Sequence, residues 1–159
     1  MKILVISDSH GQTARMQNVI EVEKPEKVFH LGDSQQPMDF LKHAIGDYET
    51  YCVRGNCDFD MSYPTEQILE IGKHKLLLCH GHIYGVKYDL DGLKEAAIKK
   101  GCDVALFGHT HIPHYEEGDV VMANPGSITL PRQEGHIPTY MIFNIEDDGK
   151  MTFDIKYLK

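Results

Sequence analysis

Short apolar runs, each ending at an Asp, His or Asn, recur along the 159-residue chain and leave it few folds to choose from. Lys2-Ile3-Leu4-Val5-Ile6 leads to Asp8 and His10, residues 27–31 to Asp33, and Tyr48 to Val53 to Asn56. Lys75 to Cys79 leads to His80, and Val104-Ala105-Leu106-Phe107 to His109 and His111. Runs this short and this rich in Ile, Leu and Val read as buried strands. Polar clusters that follow their strands would gather along one sheet edge, which is where open α/β sheets carry their ligands.

Helical periodicity fills the gaps between strands. A helix from about Thr13 to Glu23 has Ala14, Val19, Ile20 and Val22 as its apolar side, and Pro25 stops it. Pro37 can open a short helix through Phe40, Leu41 and Ile45 that Gly46 ends. Leu90 to Lys100 forms another, with Asp89 and Asp91 near its start and lysines in its last turn, matching the macrodipole at both ends. Gln67–Ile71 and Lys75–Cys79 flank Gly72-Lys73 as a hairpin. Beyond Phe107 the chain reads as β only, with turns near residues 117–119 and 148–149. There Tyr140, Ile142 and Ile145, with Phe153, Ile155 and Tyr157, alternate as half-buried strands do. The expectation is one α/β domain over residues 1–159, made of two packed sheets with helices outside.

Composition narrows the function classes. A net charge of −8 argues against a partner such as long DNA or RNA, which calls for a Lys/Arg stripe. A small phosphorylated substrate stays open, because bound divalent ions make a site locally positive. The first apolar run is too short for a signal peptide or membrane span, so no membrane is expected and a cytoplasmic location is the default. Cys52, Cys57, Cys79 and Cys102 form no Cys-x-x-Cys pair and are expected to stay thiols.

Carboxylates, imidazoles and an amide oxygen are the mixture a two-metal site needs, with one carboxylate shared between ions roughly 3.5–4 Å apart. In Asp8-Ser9-His10 and His109-Thr110-His111 one residue separates two ligand candidates, so in an extended segment both side chains would leave on the same side. Gly11, Gly32, Gly55, Gly81 and Gly108 stand beside these residues and can let backbone come close to them. Such ligation suits Mn, Fe, Ni, Co or Zn.

The ordered set Asp8-x-His10, Gly32-Asp33, Gly55-Asn56, His80-Gly81 and Gly108-His109-x-His111 resembles the calcineurin-like metallophosphoesterases. Gly55-Asn56-Cys57-Asp58, His80-Gly81-His82 and Asn124-Pro125-Gly126-Ser127 are similar to their small phosphodiesterase subgroup. The resemblance runs from Met1 to about Arg132. It implies a four-layer sandwich of two mixed β-sheets flanked by helices, and Mn or Ni as the usual activating ions. One ion would be held by Asp8, His10, Asp33 and His111, and a second by Asp33, Asn56, His80 and His109, with Asp33 as the bridge. It further implies hydrolysis of small phosphodiesters by in-line attack of a hydroxide shared by the two ions. Asp33, Asn56, His82 and Cys57 are the candidate catalytic groups. His82 is not a ligand in the pattern and belongs near the pocket. Cys57 stands where many members carry a His that contacts phosphate, which favours substrates whose leaving group needs little protonation.

Two other readings use the same residues: a phosphomonoesterase or nucleotide hydrolase on the same metals, and a non-catalytic scaffold resembling the retromer subunit of this fold. No cap domain fits between the motifs, so the site should be open, with Cys57–Thr65 and Tyr84–Asp91 as its rim. His30 reads as a hydrogen-bonded core histidine, His43, His74, His114 and His136 as solvent-facing, and Arg132 as a phosphate contact or a partner in a surface ion pair. Asn124-Pro125-Gly126-Ser127 reads as a turn supporting the site. Homo-oligomer formation is left open.

Overall fold

Apolar runs without polar alternation require cover on both faces, and the computed structural model, which describes residues 1–159, provides it with two facing five-stranded sheets. In chain order the elements are β1 (Lys2–Ile6), α1 (Thr13–Glu23), β2 (Lys27–His30), α2 (Met38–Ile45), β3 (Glu49–Cys52), β4 (Glu66–Ile71) and β5 (His74–Cys79). A 3-10 turn (His82–Tyr84), α3 (Asp91–Lys99), β6 (Val104–Leu106), β7 (Pro113–Glu116), β8 (Val121–Pro125), β9 (Thr139–Ile145) and β10 (Met151–Tyr157) follow.

The first sheet has the order β10-β9-β1-β2-β3, in which β1, β2 and β3 are parallel. The second has the order β4-β5-β6-β8-β7, with β5, β6 and β8 parallel between antiparallel edges. Parallel strands end at the same edge, so the segments after β1, β2 and β3 emerge together, as do those after β5 and β6.

Alternation within each strand assigns side chains to layers. Ile3 and Val5 of β1 point into the space between the sheets with Phe29, Leu76, Leu78, Val104 and Leu106. Leu4 and Ile6 point outward onto Met16, Val19 and Ile20 of α1 and Leu41 and Ile45 of α2. On the second sheet Leu77, Cys79, Ala105 and Phe107 meet Leu93 and Ala97 of α3. The result is helix, sheet, sheet, helix. Each fully buried Leu, Ile or Phe contributes roughly 1.5–3 kcal/mol through area removed from water.

Two expectations change. In α1, Met16 replaces Ala14 and Val22 on the buried side; Val22 is 69% exposed, because the helix seats on Leu4 and Ile6 through positions 16, 19 and 20. β9 is not half-buried. Its position beside β1 puts Tyr140 and Ile142 under the helices while Met141, Phe143 and Ile145 enter the inter-sheet core. The edge strand β10 takes the exposed role alone.

Candidate metal centre

The ends of β1, β2, β3, β5 and β6 bring Asp8, His10, Asp33, Asn56, His80, His109 and His111 together where the two sheets meet. The segments carrying them are not extended. Asp8, His10, Asp33, His109 and His111 all have left-handed backbone, with φ between 42° and 70°. For non-glycine residues this costs of order 1 kcal/mol each. Side chains one residue apart therefore converge through turns, in place of the extended same-side arrangement expected.

Asp8 shows what the turns achieve. Its Oδ2 accepts from the Ser7 hydroxyl (2.6 Å) and the His109 N–H (3.1 Å), while its carbonyl accepts from Ser127 Oγ (2.8 Å) and Thr129 Oγ1 (2.9 Å). Oδ1 is buried and has no hydrogen-bond donor. It faces Nε2 of His111 at 3.1 Å, of His80 at 3.8 Å and of His10 at 3.9 Å.

Those imidazoles are oriented from behind. His80 Nδ1–H donates to the Leu31 carbonyl (2.7 Å), His111 Nδ1–H to the Leu130 carbonyl (2.7 Å), and His10 Nδ1–H to Gln35 Oε1 (3.0 Å). When neutral, a ring held in this way presents a bare Nε2 lone pair, the arrangement of metal-binding histidines. His10 Nε2 and His111 Nε2 stand 3.3 Å apart, and His80 Nε2 lies 3.1 Å from Asn56 Oδ1. Asp33 Oδ1 accepts from the Cys57 N–H (2.8 Å), and its Oδ2 lies 3.3 Å from His80 Nε2 and 4.0 Å from His10 Nε2.

Lone pairs facing lone pairs repel unless a cation lies between them, so this donor set fits divalent metal ions. Ligand atoms of Asp8, His10 and His111 fall within 4.8 Å of one another, as do those of Asp33, His80 and His109. His10, Asp33 and Cys57 form a third such group, which sets Asp33 between the other two.

The electrostatics agree. Burial opposes ionisation of Asp8, but the nearby His111 and His80 imidazoles prevail, and its pKa is lowered. Burial likewise opposes ionisation of Asp33, where the nearby His80 imidazole and the Cys57 N–H hold the carboxyl well below the usual range. Burial pushes His109 down to about 4, helped by the neighbouring His80 and Lys87. Burial also lowers His82, followed by the charge of His80. Its ring lies 5.4 Å from His80 and 6.0 Å from His109, and its buried Nδ1 has no partner. The Cys57 thiol is pushed up, first by burial and then by the Asp33 charge, and stays protonated at neutral pH.

Residues behind the cluster hold its loops. Asp58 accepts backbone N–H bonds from Asp33 (2.8 Å), Gly55 (2.7 Å) and Gln35 (2.8 Å), tying the loop after β2 to the loop after β3. In the sequence Asp58 stands within the Gly55-Asn56-Cys57-Asp58 motif with no role of its own; an acid two residues past a candidate ligand is the signal available there. Ser7, Gln35 and Thr129 carried none. Asn124 donates to the Gly108 carbonyl and to Thr110 Oγ1, both at 3.0 Å, so its turn supports the site as expected. A Cβ on Gly55 would stand 2.0 Å from Asp33 Oδ1, and one on Gly108 2.1 Å from Ser7 Oγ.

Other histidines sort as follows. His30 is buried, accepts from the Gly32 N–H at 3.2 Å and meets Ser9 Oγ at 2.9 Å. His43 and His136 are exposed and His114 partly so. His74 is not solvent-facing. It is buried between Asp103 (2.5 Å) and the Gly149 carbonyl (2.6 Å), where the β4–β5 and β9–β10 turns meet. Arg132 forms no side-chain ion pair. Of the expected rim, Phe59 and Tyr88 are 88% and 93% exposed, whereas Tyr63 is buried and anchors its segment on the Gln36 carbonyl (2.9 Å).

Fold and donor set together define a phosphoesterase of the calcineurin-like class, and the corresponding family model, the calcineurin-like phosphoesterase superfamily domain, matches residues 1–148. The chain belongs to that superfamily. A probable metallophosphoesterase of Bacillus subtilis, YsnB, is 37% identical over 152 residues, covering 94% of this chain and 87% of that one. The phosphodiesterase YfcE of Escherichia coli is 28% identical, covering 83% and 82%. A crystal structure from Streptococcus pneumoniae, described as a predicted phosphoesterase, superposes with a TM-score of 0.80 at 29% identity over 99% of this chain and 97% of that one. Vps29 of Entamoeba histolytica, solved with zinc, shares the fold with a TM-score of 0.77 at 21% identity, covering 99% of each chain.

Proposed function

We propose that the chain is a divalent-metal-dependent phosphodiesterase of small phosphodiesters. The observation that carries this reading is the inward-facing set of acceptors around the donorless Asp8 Oδ1, in a chain of the phosphoesterase superfamily. The likeness to YfcE supports the diester class.

In this reading Asp8, His10, Asp33 and His111 hold one ion, and Asp33, Asn56, His80 and His109 the other. Two such ions supply Lewis acidity that activates water and neutralises phosphoryl oxygens. Asp33 is the shared carboxylate, since its Oδ1 is occupied by the Cys57 N–H and its Oδ2 faces histidines of both groups. His82 is neutral at pH 7 and can donate one N–H to a phosphoryl oxygen. Cys57, a protonated thiol with a raised pKa, is a poor proton donor, so leaving groups that depart as stable anions suit the site.

Mn or Ni is the proposed pair, with Zn, Fe and Co compatible with the same donors. No helix is long and apolar enough to cross a membrane. The four free cysteines suit a reducing compartment, and we place the protein in the cytoplasm.

The test is hydrolysis of bis(4-nitrophenyl) phosphate by chelator-stripped protein before and after addition of Mn²⁺, with Asp33→Ala alongside. Turnover that returns with metal and is lost in the variant supports the reading. Faster turnover of 4-nitrophenyl phosphate would point to a monoesterase. Folded protein that turns over neither ester with any of the candidate ions would favour a scaffold.

A further inference from the structure

A cavity of about 460 Å³ opens beside the acceptor cluster. Its wall is apolar, made by Val86, Leu90, Phe107 and Ile112, and two cations, Lys87 and Arg132, line it. It begins one residue from the candidate ligands: Thr110, also in the lining, sits between His109 and His111, and the Arg132 N–H donates to the His111 carbonyl at 3.0 Å. Neither Lys87 nor Arg132 forms an ion pair or a side-chain hydrogen bond. In a chain of net charge −8, an apolar hollow lined by two cations outside any ion pair stands out, although His114, also in its wall, pairs with Glu116 at 3.2 Å. It is open to solvent, with Lys87, Ile112 and Arg132 exposed, and its size suits one ring lying against the apolar wall, with the few charged groups fixing orientation.

We propose that this cavity receives one ester arm of the substrate, and that this arm is apolar and carries its own anionic group. The proposal rests on the phosphodiesterase reading and adds the substrate class: a diester with a small arm and a larger apolar arm bearing a carboxylate, sulfonate or phosphate. The four apolar side chains bind the body of the arm, and Lys87 and Arg132 meet its anion. Arginine adds planar two-point recognition of such a group.

Three 4-nitrophenyl phosphodiesters, with methyl, 2-naphthyl or 6-sulfo-2-naphthyl as the second arm, separate these contributions on the Mn²⁺-loaded protein. The expected result is a rise in kcat/KM from methyl to naphthyl and a further rise of about tenfold for the sulfonated arm, expressed in KM; tenfold is one well-placed charged contact. In Lys87→Gln/Arg132→Gln the sulfonaphthyl-to-naphthyl ratio falls to about one, and in Ile112→Asp the naphthyl-to-methyl ratio falls (fold-changes in the range of single contacts). Independently of turnover, naphthalene-2-sulfonate added to chelator-treated protein shifts the backbone NMR signals of Thr110 and Ile112, and the double variant weakens this binding. Ratios unchanged in the double variant, or naphthalenesulfonate shifts confined to other surfaces, would overturn the proposal. Failure to hydrolyse even the methyl diester would instead count against the phosphodiesterase reading, and the NMR titration would still decide the pocket.

Discussion

At Asp8 one carboxylate oxygen receives two hydrogen bonds and the other none. A buried oxygen left this way costs about 1–3 kcal/mol unless a cation answers it. Asp33, placed between the two histidine groups, is the more sensitive position. Asp33→Ala should lower activity by about 10³-fold and reduce bound metal, as measured by kinetics and by metal analysis of the purified variant. Cys57→Ser should change kcat by less than tenfold, because a thiol with a raised pKa serves poorly as an acid; a general acid would show a loss of about 10²-fold or more. Away from the site, burial opposes charge on His74, but its hydrogen bonds to Asp103 and the Gly149 carbonyl raise its pKa above the ordinary 6.5. The folded pKa therefore exceeds the unfolded one. The stabilisation is complete below pH 6.5 and disappears as pH rises through the folded value. Denaturant unfolding of wild type and Asp103→Asn should differ more at pH 6 than at pH 9, by about 1 kcal/mol or less, since Asp103 is 43% exposed and screened.

Among the elements, the loops after the parallel strands decide the site. Gly55→Ala would drive a Cβ into Asp33 Oδ1, so metal affinity should fall by about 10–100-fold while far-ultraviolet circular dichroism stays native-like. β1, β2, β5 and β6 and all three helices were legible because burial on both faces writes an unbroken apolar run and helix punctuation is local. The candidate site residues were legible because each follows its run directly. What stayed hidden is set by distant packing. β9 reads as half-buried until β1 is known to lie beside it, and Val22 reads as core until α1 is docked. His74 looks like a turn histidine because Asp103 and Gly149 reach it from far along the chain. Nor does composition signal left-handed backbone at aspartates and histidines; only the convergence of five such residues on one point explains it.

For the molecule as a whole, the acceptors come from both sheets: Asp8, His10, Asp33 and Asn56 from the first, His80, His109 and His111 from the second. Ions bound among them would cross-link the sandwich and relieve the repulsion of facing lone pairs. Saturating Mn²⁺ at a hundred times its dissociation constant should add about 2.7 kcal/mol, which for this chain length raises Tm by roughly 5–10 °C over chelator-treated protein in a thermal melt. The strand order carries a consequence for how the chain is made. β1, which leads into Asp8, is flanked by β2 on one side and by β9 on the other, and Ser127 and Thr129 clasp the Asp8 carbonyl. During synthesis β1 waits with one edge bare until residues 139–145 leave the ribosome. A nascent chain that already contains all seven candidate ligands thus still lacks the strand that closes the sheet beneath them.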